Sequence, residues 1–234
     1  MTDGRLCLCG ELHKQQCQQS LPLDVDALAC NRNDVYLLSG GSCYISDMTL
    51  SHCQPIDVST QQSVTDSAAD THLMRDGPVQ KQQFVSIATN DWSTFAVTTE
   101  RNLMSIRRQG LSCHVERLLN GFKVSSVSCG KCHTLVLSAI GVVFSCGLGN
   151  QGQLGHGSLD SEHSLRVIEA LEGVQMTSVC AGGWHSMAVS DSSDLYVWGW
   201  NNIGQLGLRS DAITRTSRHL DSAGHDSRDE VRVN

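Results

Sequence analysis

The sequence predicts an all-β protein of the β-propeller type, and three features carry that prediction. The segment Ser125 to Gly157, SSVSCGKCHTLVLSAIGVVFSCGLGNQGQLGHG, returns without a gap 52 positions later between Thr177 and Arg209 as TSVCAGGWHSMAVSDSSDLYVWGWNNIGQLGLR. Inside each copy, short runs of β-branched and apolar residues alternate with glycine-bearing or polar turns, the pattern of strands joined by tight connections. A strand-built unit of this length cannot bury its apolar face alone, so successive copies must stack around a common core.

The elements follow in the same order in both copies. A first strand ends in small residues, at Val127–Gly130 (VSCG) and at Val179–Gly183 (VCAGG). A second strand starts at each histidine, HTLVLS from His133 and HSMAVS from His185. The turns AIG and DSSD lead to a third strand, VVFSCG or LYVWGW, and the loops NQGQLG and NIGQLG close the unit. Leu165–Leu171 (LRVIEAL) is expected as a fourth strand, with its end able to turn.

Weaker copies lie upstream. Ile87–Ile106 aligns on the first copy with an offset of 40, which puts Asn90 at the glycine position and Ser93 at the histidine position. Leu28–Ser46 aligns with an offset of 99. Both lack the GQLG loop and are expected to be degenerate blades. RLCLCGEL near the N-terminus reads as a third strand detached from its blade. The expected organisation is a partial propeller over 1–208, with degenerate blades over 5–120, a polar insert at 47–83 and two clear repeats over 121–208. The tail 209–234 has no aromatic residue and little periodicity, and is expected to be disordered.

Composition fits a globular chain, with 40% apolar residues and no run near the roughly 18 apolar residues that span a bilayer. The N-terminus lacks the apolar stretch of a signal peptide, so an intracellular protein is expected. Eleven cysteines form an odd set, which argues against a complete disulfide framework. The net charge of −7 lies wholly in the first 208 residues, because the tail carries five arginines and five acids. That balance argues against direct binding to a nucleic-acid backbone.

Several motifs are absorbed by the repeat. Cys129-Gly130-Lys131-Cys132-His133 matches the C-x-x-C-H of c-type haem attachment, but the next copy has Ala181-Gly182-Gly183-Trp184-His185, so only glycine and histidine recur. A structural zinc site needs four ligands and a second close pair; Cys7 and Cys9 are one residue apart and unsuited, so buried thiols are expected. Gly147-Leu148-Gly149-Asn150-Gln151-Gly152 resembles a dinucleotide fingerprint, yet a further glycine loop follows where a helix is required. His133 and His185 recur with the unit, which suits a histidine satisfying buried backbone groups better than a catalytic one. The positions fixed by repetition, all expected to be structural, are Gly130, His133, Gly147, Gly152, Gln153, Leu154 and Gly155, then Gly182, His185, Gly199, Gly204, Gln205, Leu206 and Gly207. No residue is assigned to catalysis, a cofactor or a metal, and the partner-binding surface is not legible.

The GxxH corner, the apolar alternation after it, and the endings FSCGLGNQGQLGHG and VWGWNNIGQLGL resemble the regulator of chromosome condensation repeat family over Ser125–Leu208. The resemblance implies seven-bladed propellers. At about 52 residues per blade, this chain accounts for roughly four and a half blades, so an incomplete ring is expected, with one blade face uncovered and self-association as the result. The resemblance further implies a non-enzymatic nuclear scaffold, chromosome-associated, with a Jumonji-type histone demethylase or hydroxylase as partner and no membrane. Guanine nucleotide exchange on a Ran-type GTPase is the alternative, and no exchange residue of that family aligns here.

Overall fold

The computed structural model describes residues 25–47, 53–56, 83–109, 112–119, 121–207 and 232–233. They form four antiparallel sheets of four strands, each a simple up-and-down meander. The first blade contains β1 (Ala27–Cys30), β2 (Asp34–Ser39), β3 (Ser42–Asp47) and β4 (Gln54–Pro55). The second contains β5 (Phe84–Thr89), β6 (Thr94–Thr98), β7 (Leu103–Gln109) and β8 (Ser112–Arg117). The third contains β9 (Val124–Cys129), β10 (His133–Ser138), β11 (Val143–Gly147) and β12 (Glu162–Val167). The fourth contains β13 (Met176–Ala181), β14 (His185–Ser190), β15 (Leu195–Gly199) and β16 (Arg232–Val233).

Consecutive blades pack face to face, with the first strands β1, β5, β9 and β13 next to one another along the series. The second strands of the first three blades are the most buried, and in β6 and β10 both faces meet a neighbouring blade. In β10, Leu135 and Leu137 point into a cluster with Met176, Ala188, Tyr196 and Trp198 of the fourth blade. Val136 points the other way, into a cluster with Phe95, Val97 and Leu103 of the second. A third cluster joins Tyr36, Leu38, Cys43 and Ile45 to Phe84, Ile87, Met104 and Ile106. Each such side chain contributes about 1.5–3 kcal/mol on burial, so the blade boundaries dominate the stability.

The far side of the fourth blade differs. Leu135, Leu137 and Val143 are buried, whereas their counterparts Met187 and Val189 are half-buried and Leu195 is 42% exposed.

The sequence-based expectations meet the structure as follows. The two upstream segments, expected as degenerate blades without the GQLG loop, form four-stranded sheets; strand alternation makes a blade, and the GQLG loop is not required for it. Their outer strands were missed because outer strands face solvent and tolerate polar sequences such as SCHVER. One of them, β4, lies inside the polar stretch 47–83, of which 48–52 and 57–82 fall outside the described residues. Leu165–Leu171 divides: β12 ends at Val167, and Glu169–Leu171 forms a 3-10 turn that buries Leu171. The tail expected to lack structure supplies β16, paired with β15 through Tyr196–Val233 and Val197–Arg232. RLCLCGEL and the rest of 209–234 lie outside the described residues.

Candidate functional site at the blade corners

Every repeat-defined position falls at the turn between the first and second strands or on the loop after the third, and both lie at the same end of each blade. Backbone bonds tie them together: the Leu148 amide donates to the Cys132 carbonyl (2.9 Å), and the Trp200 amide to the Trp184 carbonyl (2.9 Å). The corners also bond from blade to blade. Asp91 N–H donates to Lys131 O (3.1 Å), and Lys131 N–H donates to Gly183 O (3.1 Å).

His133 is fully buried at the boundary between the third and fourth blades. Ser186 Oγ donates to the Gln153 carbonyl (2.8 Å), so its oxygen receives the Nε2–H of His133 (2.9 Å). The Trp198 indole N–H reaches the same carbonyl (3.0 Å). His133 Nδ1 is buried without a hydrogen-bond partner, so a proton there would have no acceptor. Burial, and secondarily the nearby His185, push the imidazole down to about 4, which keeps it neutral. The expectation that the histidine satisfies buried backbone groups is corrected in one respect: it bonds a side-chain hydroxyl, which relays the contact to a backbone carbonyl.

Gly130 recurs because this histidine needs room. A Cβ on Gly130 would lie 2.3 Å from His133 Cε1 and 2.2 Å from the Gly182 carbonyl oxygen; on Gly182 it would lie 2.3 Å from His185 Cε1. Gln153 and Gln205 recur because each side-chain carbonyl accepts the amide two residues before it, Gln151 N–H (2.8 Å) and Ile203 N–H (3.0 Å), closing the loop on itself. Leu154 and Leu206 lie on the same two loops; Leu154 is buried and Leu206 half-buried. Gly152, Gly155, Gly204 and Gly207 share a left-handed backbone that permits the turn. His156 braces the first of these loops through Ser145 Oγ (2.9 Å), which in turn donates to Leu154 O (2.8 Å). The fourth blade has Val197 and Leu208 at these two positions, so its loop lacks the brace.

The acceptor hydroxyl was not recognised from sequence, although a signal exists: Thr94, Thr134 and Ser186 each follow directly on the repeat's histidine position. Between the second and third blades Thr134 is again the acceptor. The donor there is Asn90 Nδ2 (3.0 Å), from the glycine position, because Ser93 stands where the histidine would be. Asn90 Oδ1 also caps the amides of Trp92 (2.9 Å) and Ser93 (2.8 Å). Between the first and second blades, Asp34 occupies the histidine position and forms an ion pair with Arg108. Three boundaries thus use three chemistries from one corner. Asn90→Ala removes both the cross-blade bond and the cap; a loss of about 2–3 kcal/mol is expected in denaturant unfolding, with native secondary structure retained.

Cys129 and Cys132 do not converge on a ligand. Cys129 Sγ lies 3.4 Å from Thr134 Oγ1, and burial pushes its thiol up to about 12, away from the thiolate that metals require. Among the described residues no group of three or more His, Cys, Asp or Glu side chains is placed to hold a metal ion.

What the corners present to solvent is apolar and aromatic. Trp92 is 75% exposed and Ile203 82%. Trp184 is half-buried, with the Lys131 ammonium 5.7 Å from its ring centroid, and Arg32 pairs with Asp91 (2.8 Å) beside them.

Antiparallel four-stranded blades, stacked through their first strands and tied at glycine–histidine corners, define a β-propeller repeat protein. Models of the regulator of chromosome condensation (RCC1) repeat match the two clear repeats: one matches residues 141–189, and a second matches 124–153 and 176–205. The chain is similar to RCC1 domain-containing protein 1 of Homo sapiens, 57% identical over 76 residues covering 32% of this chain and 20% of that protein. The protein of the same name from Mus musculus is 46% identical over 101 residues, covering 43% and 27%. The matched stretches thus span about a quarter or less of these relatives. Human WBSCR16 shares the fold, with a TM-score of 0.65 at 18% identity, covering 92% of this chain and 55% of that one. So does Prp20p of Saccharomyces cerevisiae, whose structure was reported with its binding to Gsp1p and histones: TM-score 0.58, 16% identity, 83% and 49% coverage. No helix among the described residues is long and apolar enough to cross a membrane.

Proposed function

We propose that the protein is a non-enzymatic interaction scaffold of the nucleus, chromosome-associated, that works with a Jumonji-type histone demethylase or hydroxylase. One observation carries this reading. The polar residues that recur from blade to blade are engaged inside the fold, His133 across a blade boundary and Gln153 and Gln205 within their own loops, while Trp92, Ile203 and Lys131 are exposed at the corner end, with the Lys131 ammonium over the half-buried Trp184. Large exposed apolar groups beside fixed charges favour binding another protein. The acidic balance of the first 208 residues favours a basic partner surface over a nucleic-acid backbone. The likeness to RCC1 domain-containing protein 1 supports the same class of function.

The test is direct binding between the full chain and a purified Jumonji-type histone demethylase, measured by titration calorimetry. Trp92→Ala with Trp184→Ala is expected to weaken binding at least tenfold and leave the melting temperature within a few degrees. No binding by the wild type overturns the partner, and unchanged binding by the double variant overturns the surface. Accelerated nucleotide release from a Ran-type GTPase, which the Prp20p fold makes worth measuring, would replace this reading with the exchange reading.

A further inference from the structure

The fourth strand of the last blade repeats that of the blade before it in sequence and register. In the third blade, Val167 lies opposite Phe144 and Arg166 opposite Ser145. In the fourth, Val233 lies opposite Tyr196 and Arg232 opposite Val197, and Tyr196 and Val197 stand 52 positions after Phe144 and Ser145. An Arg-Val dipeptide therefore fills the same two places on both blades, with an apolar residue before it each time, Leu165 or Val231.

The two strands are anchored very differently. β12 runs six residues along β11. Its Leu165 and Val167 pack on the cluster containing Phe144, and Arg166 is held by Glu162 (3.0 Å) and Glu169 (3.3 Å). The buried Ile168 and the 3-10 turn then lead straight into β13. β16 pairs with two of the five residues of β15, and residues 200–231 intervene where 148–161 suffice in the third blade. Among the described residues, Leu195, Trp198 and Gly199 have no strand partner on that edge.

We propose that the outer edge of β15 is a strand-addition site for extended peptides of the pattern apolar–Arg–Val, occupied in cis by Arg232–Val233 and exchangeable for a matching segment of another protein. A two-residue ladder is marginal by itself. Main-chain bonds along a sheet edge supply affinity, and alternate side chains supply selectivity. Here the position paired with Tyr196 corresponds to that of Val167, which pairs with Phe144 in the third blade. An intramolecular strand acts through its effective concentration, which falls as the number of intervening residues grows, so a partner peptide competes with it.

The probe is a fluorescein-labelled peptide of sequence SLRVIE, that of Ser164–Glu169, titrated by anisotropy into the full chain and into the Arg232→Pro, Val233→Pro double variant. Proline at both places removes the ladder from the tail without touching the blade core. At least tenfold tighter binding to the double variant is expected, with no binding of SLPPIE to either protein. Hydrogen exchange of the β15 amides is expected to speed up in the double variant and slow again when SLRVIE is added. Equal affinity for both proteins, no binding to the double variant, or binding of SLPPIE overturns the proposal.

Discussion

Gly147→Val is expected to remove a large part of the protein's stability and to lower its melting temperature more than Gly199→Val or Gly173→Ala. Gly147 has φ +113°, in the region that disfavours side chains, and a Cβ there would lie 2.4 Å from the Cys132 carbonyl oxygen and 2.7 Å from His133 Cα. All of these are backbone atoms at the corner, held by the Leu148–Cys132 and Gly130–His133 bonds, so none can yield by changing rotamer. Left-handed strain for a β-branched residue costs about 1–3 kcal/mol, and overpacking costs a similar amount again. The combined loss, on the order of 3–5 kcal/mol, is a large part of the whole stability of an ordinary domain. Gly199→Val meets the same corner one blade on, with contacts of 2.9 Å to His185 Cα and Trp184 O, and should lose slightly less. Gly173→Ala is the control: φ is +83°, but nothing lies within 4 Å, so only the conformational cost of about 1 kcal/mol is expected. Thermal unfolding of the three variants checks the ranking. A Gly147→Val protein that melts like the wild type would contradict the corner geometry.

Acidification is expected to remove about 3 kcal/mol through His133 alone. Its folded value is about 4 against an ordinary 6.5, so the unfolded chain takes up the proton first. Above pH 6.5 both states are neutral and stability is unaffected. As pH falls from 6.5 toward 4 the unfolded state gains protons that the native state refuses, at about 1.4 kcal/mol per pH unit. His156, lowered by burial and by Arg166, adds a slope of the same sign. His133→Gln should be less stable at pH 7.5, because the amide replaces the imidazole imperfectly against Ser186. Its stability should then fall more gently with acid, so the two urea-midpoint curves converge between pH 6 and 4. Parallel curves would show that His133 titrates normally.

The repeat register was legible because glycine leaves a mark wherever a side chain cannot fit. Gly182 and Gly147 recur for contacts inside one corner, and Gly130 and Gly199 for such contacts together with backbone of the adjoining blade, so both blades with this corner carry them. The GQLG loop is equally local, since Gln153 and Gln205 bond their own loops. The offset of 40 placed Asn90 at the glycine position where it sits, and Asp34 falls at the histidine position under the offset of 99. Their significance was hidden, because each acts on a residue in the following blade, and a pair far apart in sequence leaves no periodic trace. The same holds for Ser186, which looks like an ordinary strand serine until His133 and Gln153 are brought to it.

The outer strands were the hardest to see. β4, β8 and β16 contribute main-chain bonds at a solvated edge, where almost any side chain is accepted, so no pattern announces them. The Arg-Val match between β12 and β16 was present in the sequence all along, but two residues are too few to distinguish from chance until strand pairing puts them in one register.

Local sterics and strand alternation therefore determined, from the sequence alone, that this is an array of β blades, two of them glycine-cornered copies 52 residues apart. The tertiary structure decided which groups join one blade to the next, which aromatic side chains the corners leave at the surface, and that the tail returns to the last sheet. Those outcomes depend on distances between segments remote in the chain, and a one-dimensional pattern records only the requirements that each segment meets by itself.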